Sequence, residues 1–179
     1  MTMAVMGLID QLGYRVPEAN GFHKLVWKVS SSRPGAWFFS KTLHHMDRVV
    51  LRLSGGRVTV PGVLAGLPVI TVATTGARTG ERREVPLVGV PSGDDIAVIG
   101  TRFGQARTPA WYFNLRAEPR AEVGYRGRTV PVVAREADGD ERDAVWARGC
   151  QIYAGYQAYA RRLDHRPIHV MVLESSTGG

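Results

Sequence analysis

Apolar, β-like runs set off by polar and glycine-containing turns predict strands through the middle and last parts of the chain. Val69–Thr75, Glu84–Val90 and Ile96–Gly100 are three such runs. Between them lie a glycine-bounded turn, Gly76-Ala-Arg-Thr-Gly80 followed by Arg82-Arg83, and the turn Ser92-Gly-Asp-Asp95. Runs of this length punctuated by Gly, Asp and Ser read as an antiparallel meander. Two further runs, Ala121–Tyr125 and Thr129–Ala134, flank Arg126-Gly127 as a tight hairpin, and Ile168–Leu173 is a last apolar strand.

The helical period appears elsewhere. Phe22, Leu25, Val26 and Val29 fall at i, i+3, i+4, i+7, and a second pattern runs through Phe39, Leu43, Met46 and Val50 to Gly55-Gly56. Thr108-Pro109 opens a helix over Ala110–Arg116 that Glu118-Pro119 stops. Asp138 with Glu141 resembles a capping box at the head of a long helix from Gly139 to Leu163. Residues 1–20 carry Gly, Pro and Asn breakers and read as loosely ordered, residues 21–174 as a single domain, and residues 175–179 as a frayed tail. Six β runs interrupted by helices predict an α+β fold, a small antiparallel barrel with helices outside, rather than a Rossmann sheet.

Composition narrows the function. A chain of 179 residues with 44% apolar content suits one domain with a full core. Net charge is +7, and all but three of the 23 basic residues are Arg. A biased genome explains such an excess; so does an acidic ligand, an anionic membrane surface or nucleic acid. Nucleic acid fits least, because Glu81, Glu84, Asp94 and Asp95 break up the basic stretches and no nucleic-acid motif is present. The single cysteine, Cys150, fits a reducing, cytoplasmic setting. The opening segment lacks the basic region of a secretory signal, and no stretch is apolar for the roughly 18 residues of a spanning helix. Lys24, Trp27 and Lys28 beside the first apolar stripe leave two readings for residues 22–32: cover for a sheet, or a peripheral contact with the inner face of the plasma membrane. No metal is expected. His44-His45 are adjacent, point to different helix faces, and have no further ligand at suitable spacing.

Two patterns carry candidate chemistry. Arg78, Arg82, Arg83 and Arg102 project from neighbouring strand ends, with the amides of Gly76, Gly80 and Gly104 beside them, a set suited to a long acidic small molecule. Tyr153, Tyr156 and Tyr159 recur every third residue and fall within a 120° arc of one helix face, suited either to core packing or to a flat pocket lined with proton donors. Trp111 and Tyr112 carry the same ambiguity. Phosphate-loop, dinucleotide, hydrolase-elbow and zinc-protease motifs are absent, and Cys150 has no local His to activate it.

The runs TTGARTGERREVPL, GTRFG, PAWYFNLRAEPR and YAGYQAY, in that order, resemble the deazaflavin-dependent nitroreductases of actinobacteria over about residues 22–174. The resemblance implies a split β-barrel of the flavin- and deazaflavin-binding type, use of coenzyme F-420, and hydride transfer from C5 of the reduced deazaflavin to a quinone-like or nitroaromatic acceptor. It implies cofactor contacts by Ala77, Arg78, Thr79, Arg83, Pro86, Val88, Thr101, Arg102, Ala110, Trp111, Tyr112, Asn114 and Tyr156. It implies a substrate side formed by Tyr153, Tyr156 and Tyr159, with Tyr156 the first choice as proton donor and Thr101 a second hydrogen-bond donor near the ring. Val88, Ala77 and Thr101 depart from residues found in some nitro-reducing members, Tyr, a basic residue and Ser respectively, which weighs against nitroimidazole turnover. Two other readings stay open: a non-catalytic deazaflavin carrier, and an oxidoreductase that binds FMN. Oligomeric state is open.

Overall fold

The computed structural model describes residues 6–17, 67–163 and 167–176. The two expected helices between Phe22 and Val50, the 22–32 element and His44-His45 lie outside the described residues. Six strands form the body: β1 (Val69–Thr75), β2 (Arg82–Ser92), β3 (Asp95–Ile99), β4 (Arg120–Tyr125), β5 (Arg128–Glu136) and β6 (Val170–Ser175). The described helices are α1 (Leu8–Leu12), α2 (Ala110–Ala117), α3 (Gly139–Ile152) and α4 (Gly155–Ala160), with a short 3-10 turn at Arg102–Gly104. The strands pair antiparallel in the order β1-β2-β3-β6-β5-β4 and close into a barrel where β4 returns to β1. The expected small antiparallel barrel with flanking helices is the fold.

Strand register separates an inner from an outer face. Cross-strand partners Ile70–Leu87, Val72–Val123, Val123–Val130, Ile96–Leu173 and Val98–Met171 point inward and fill the barrel. Their outward neighbours on β2, β3 and β6 are also apolar: Val90, Ala97, Ile99, Val170 and Val172 pack under α3 and α4. Strands buried on both faces therefore read as unbroken apolar runs, Ile96–Ile99 and Val170–Leu173. On β5 the outer face meets solvent, and buried Val130, Val132 and Ala134 alternate with exposed Pro131, Val133 and Arg135. The β4–β5 hairpin turns through Arg126 and Gly127 with φ of 48° and 83°, the left-handed pair a two-residue hairpin requires.

Helices close both ends. At the end carrying the β2–β3 turn, here the lower end, Leu8 and Leu12 of α1 are buried in the barrel core. Tyr14 follows them inside and donates its hydroxyl to the Gly89 carbonyl at 2.7 Å. It occupies the room left by the missing side chain, since a Cβ on Gly89 would lie 2.6 Å from the Tyr14 oxygen. Residues 6–17 thus depart from the loose order expected of residues 1–20. The glycines bound the helix rather than forbid it: Gly7 is its N-cap and Gly13 its left-handed C-cap. At the upper end α2 inserts Trp111, Tyr112 and Leu115.

Other expectations shift. Ser175 belongs to β6 and accepts a hydrogen bond from Gln11 Nε2 at 2.8 Å, so the strand continues into the stretch expected to fray. Asp138 is the N-cap of α3 but makes no side-chain cap bond, and Glu141 pairs with Arg135 rather than returning to the Asp138 amide. The expected helix over Gly139–Leu163 breaks: Tyr153 is extended (φ −141°, ψ 99°) between α3 and α4. Its ring folds back over Gly155, where a Cβ would come within 2.2 Å of the Tyr153 ring. Gly155 has no side chain to prevent that break.

Candidate functional site

β1 and β3 both end at the upper rim, so the β1–β2 turn and the corner after β3 are neighbours there. The β1–β2 turn is wound on itself: the Gly76 carbonyl accepts the amides of Thr79 (3.2 Å) and Gly80 (2.8 Å), and the Gly76 amide donates to the Glu81 carbonyl (2.8 Å). The Gly104 amide is likewise committed, to the Thr101 carbonyl at 2.9 Å. The three glycine amides expected to face an anion are therefore spent on turn closure. Arg83 pairs with Glu81, and Arg82 with Glu84 and Glu122. Arg78 at the turn tip and Arg102 at the corner are exposed, and no described carboxylate pairs with either.

α2 holds the turn. Asn114, buried, accepts the Ala77 amide on Oδ1 at 3.0 Å and donates from Nδ2 to Thr74 Oγ1 at 3.0 Å. Both functions of this amide are used inside the protein. Trp111 and Tyr112 are buried in the barrel core cluster, and Ala110 is the residue of that group left exposed. The reason is the α2 face: positions 111, 112 and 115 share the stripe that plugs the upper end.

Outside the barrel lies the tyrosine wall. Tyr153, Tyr156 and Tyr159 are 6%, 5% and 2% exposed and cluster despite the helix break, with ring centroids 5.4 Å apart for Tyr153–Tyr156 and 5.9 Å for Tyr153–Tyr159. The hydroxyls of Tyr153 and Tyr159 bond each other at 2.9 Å. Tyr156 nests over Gly149, where a Cβ would approach its ring at 3.4 Å, and no described residue bonds its hydroxyl. Burial, then Tyr153 and Cys150, push its pKa well above the ordinary phenol value, so it stays protonated. Val88, on the outer face of β2, packs against this cluster, and half-buried Pro86 continues that face toward the β1–β2 turn. The corner joins wall to rim. Arg102 is left-handed (φ 46°), Thr101 beside it is buried, and Gly104 (φ 77°) lies so close to α4 that a Cβ would touch Tyr159 Cα at 3.4 Å.

Two residues escaped the sequence reading. Glu136 ends β5 and His169 precedes β6, and the two meet at 2.7 Å beside Tyr112. Nothing in spacing links positions 112, 136 and 169; only barrel closure brings them together. Among the described residues no group of His, Cys, Asp and Glu could hold a metal, and no helix is long and apolar enough to cross a membrane.

A closed antiparallel barrel with cationic loops on one rim and buried phenols on an outer wall is the frame of a split-barrel oxidoreductase. The comparisons with known proteins agree. The family model described as F420H(2)-dependent quinone reductase matches residues 45–175. An F420H(2)-dependent quinone reductase of Mycobacterium tuberculosis is 31% identical over 141 residues, which cover 73% of this chain and 89% of that protein. A solved F420-H2 dependent reductase is 34% identical, covering 60% of this chain and 94% of its own, with a TM-score of 0.55. A solved domain-swapped dimer is 29% identical over 79% of this chain and 99% of its own, with a TM-score of 0.58. The chain belongs to the F420H(2)-dependent quinone reductase family, and it is a coenzyme F-420-dependent reductase.

Proposed function

We propose that this protein reduces a quinone-like acceptor held against the Tyr153–Tyr156–Tyr159 wall. When bound, coenzyme F-420 supplies the hydride. The residues present fit such a group. Arg78 and Arg102 are cations without a described carboxylate partner, suited to a phosphate and a polycarboxylate tail. Thr79, Ala77 and Arg83 belong to or border the turn that carries Arg78, and Pro86 and Val88 offer a flat apolar face between that turn and the phenols. Ala110 is available at the head of α2. Trp111, Tyr112 and Asn114 contribute by holding α2 and the turn in place.

The observation that carries this reading is the Tyr156 hydroxyl: buried, protonated and without a described hydrogen-bond partner. A quinone that accepts a hydride gains negative charge on its oxygen, and a neutral phenol can donate a hydrogen bond there as the charge forms. Tyr153 and Tyr159 satisfy one another and shape the wall. Thr101, buried at the corner, is the second hydroxyl assigned near the ring. The same donors suit a nitro oxygen, so nitroaromatic compounds form a second acceptor class to test. Contact of residues 22–32 with an anionic bilayer completes the proposal, through Lys24, Trp27 and Lys28.

The deciding experiment titrates the protein with coenzyme F-420 and with FMN, then adds menadione or a nitroaromatic to the reduced complex. Tighter binding of the deazaflavin, weakened by salt, with quinone-dependent oxidation is the expected result. Equal affinity for FMN favours a flavin barrel, and tight binding without turnover favours a carrier. Membrane contact is checked by vesicle flotation of a Lys24→Glu/Lys28→Glu variant. Truncation would remove the α1 plug as well.

A further inference from the structure

A polar cluster at the upper rim stands outside the proposed chemistry. Glu136 accepts the Tyr112 hydroxyl on both carboxylate oxygens, at 3.1 and 3.0 Å, and meets His169 Nδ1 at 2.7 Å. The His169 ring stacks on Tyr112 with centroids 3.9 Å apart and planes 23° from parallel. Arg116, one turn along α2, reaches the same hydroxyl at 3.4 Å and lies over the ring at 5.9 Å. Three elements separated in sequence thus converge on one carboxylate.

Position gives the cluster its significance. Tyr112 belongs to the first turn of α2, whose Asn114 holds Ala77 and with it the turn carrying Arg78. The His169 carbonyl accepts the Gly100 amide at 2.8 Å, the bond immediately before Thr101 and Arg102. Gly100 is wedged there: a Cβ would stand 3.2 Å from the His169 carbonyl oxygen and 3.8 Å from Pro109, the N-cap of α2. One carboxylate therefore braces both supports of the cationic rim. Through Tyr112 it fixes α2 and the Arg78 turn, and through His169 it fixes the Arg102 corner.

We infer that Glu136 and His169 are positioning residues that hold Arg78 and Arg102 in register for the anionic tail of the cofactor. The pair touches neither cofactor nor acceptor and acts through Tyr112 and Gly100. This inference rests on the cofactor reading given above. A clamp made of hydrogen bonds to a charged group keeps a binding rim organised before the ligand arrives, which lowers the ordering cost of binding.

The test compares Glu136→Ala, His169→Ala and His169→Asn with wild type. Asn can keep a donor near the position of Nδ1. Tyr14→Phe, at the lower end, serves as a control that loses a buried hydrogen bond far from the rim. The readouts are coenzyme F-420 affinity, kcat with menadione, and hydrogen exchange of the Gly100 amide in cofactor-free protein. Both alanine variants are expected to weaken binding about tenfold, the scale of one lost charge-assisted bond. Their double variant should be little worse than either, kcat at saturation should change less than affinity, and Gly100 exchange should quicken. His169→Asn should restore binding, and Tyr14→Phe should bind as wild type. If the alanine variants fold poorly, Glu136→Gln, which spoils one of the two donations, gives the same comparison in milder form. Wild-type affinity and Gly100 exchange in the alanine variants would overturn the inference while leaving the cofactor reading intact; so would an equal loss in Tyr14→Phe. Failure of wild type to bind the cofactor would overturn both.

Discussion

The two ends of this barrel are closed by opposite means. The lower end is filled from inside by Leu8, Leu12 and Tyr14, with Tyr125 packed against Tyr14, and both phenols donate to backbone carbonyls. The upper end is also plugged, by Trp111 and Leu115, but polar bonds fasten it: Asn114 to Ala77 and Thr74, and Tyr112 and His169 to Glu136. Apolar packing is insensitive to direction and needs only volume. Hydrogen bonds fix orientation, and the proposed binding rim needs orientation more than volume. The contrast implies that damage below shows first as lost stability, and damage above as lost affinity or rate.

The largest effect is expected below. Leu8→Ala removes a wholly buried side chain from the plug and should cost about 2–5 kcal/mol of stability, read by denaturant unfolding, with cofactor affinity unchanged in the folded fraction. A strong loss of affinity in that folded fraction would erase the distinction between the ends. Next comes Tyr156→Phe on the outer wall, which keeps the ring and removes the unpartnered hydroxyl. It should raise the barrier to quinone reduction by about 2–4 kcal/mol, seen as a fall in kcat with little change in cofactor binding. Tyr153→Phe and Tyr159→Phe should be milder, since their hydroxyls serve each other. Wild-type turnover by Tyr156→Phe would end its role as donor.

Smaller effects sharpen the contrast. Tyr14→Phe should cost about 1 kcal/mol of stability through the lost bond to Gly89 and nothing in affinity. At the rim, Arg78→Gln should weaken the tail-bearing cofactor severalfold and flatten the salt dependence of binding, with unfolding unmoved. Calorimetry at two ionic strengths checks both. The smallest concerns acid. Burial acts to raise the Glu136 pKa, but the hydrogen bonds of His169 and Tyr112 and the charges of His169 and Arg116 outweigh it and hold it below the usual carboxylate range. A depressed carboxylate contributes stability above its unfolded pKa of about 4.3 and loses it as pH falls through the lower folded value. Glu136→Gln should therefore unfold with a shallower acid limb below about pH 4.

What could be seen in the sequence followed from local physics. β1 was bounded correctly at Val69–Thr75, and the Arg126-Gly127 hairpin and α2 were visible because alternation, turn chemistry and Pro-bounded helix starts are written in neighbouring residues. The tyrosine cluster was foreseen, yet on an unbroken helix; the break at Tyr153 depends on ring packing over Gly155 that no periodicity encodes. The turn-closing bonds of the glycine amides and the pairing of Arg82 and Arg83 with Glu81, Glu84 and Glu122 were not visible, because turn geometry and strand register choose those partners. Glu136 and His169 lie in separate strand flanks and meet only when β5 and β6 pair. α1 was missed because five residues between two glycines carry too little pattern to outweigh their breakers.

The bond between Gln11 and Ser175 joins residues 164 positions apart. On a ribosome, the segment bearing Leu8 and Leu12 emerges long before the cavity that receives it, since β6 completes the wall that α1 enters. All six strands must be synthesised before those leucines find their place, and until then they are exposed to solvent and to chaperones. Folding is thereby tied to the last strand: a chain truncated before β6 has neither a closed barrel nor a seat for α1. Contacts of such long range also slow the search for the native state, so this small protein should refold on the slow side for its size.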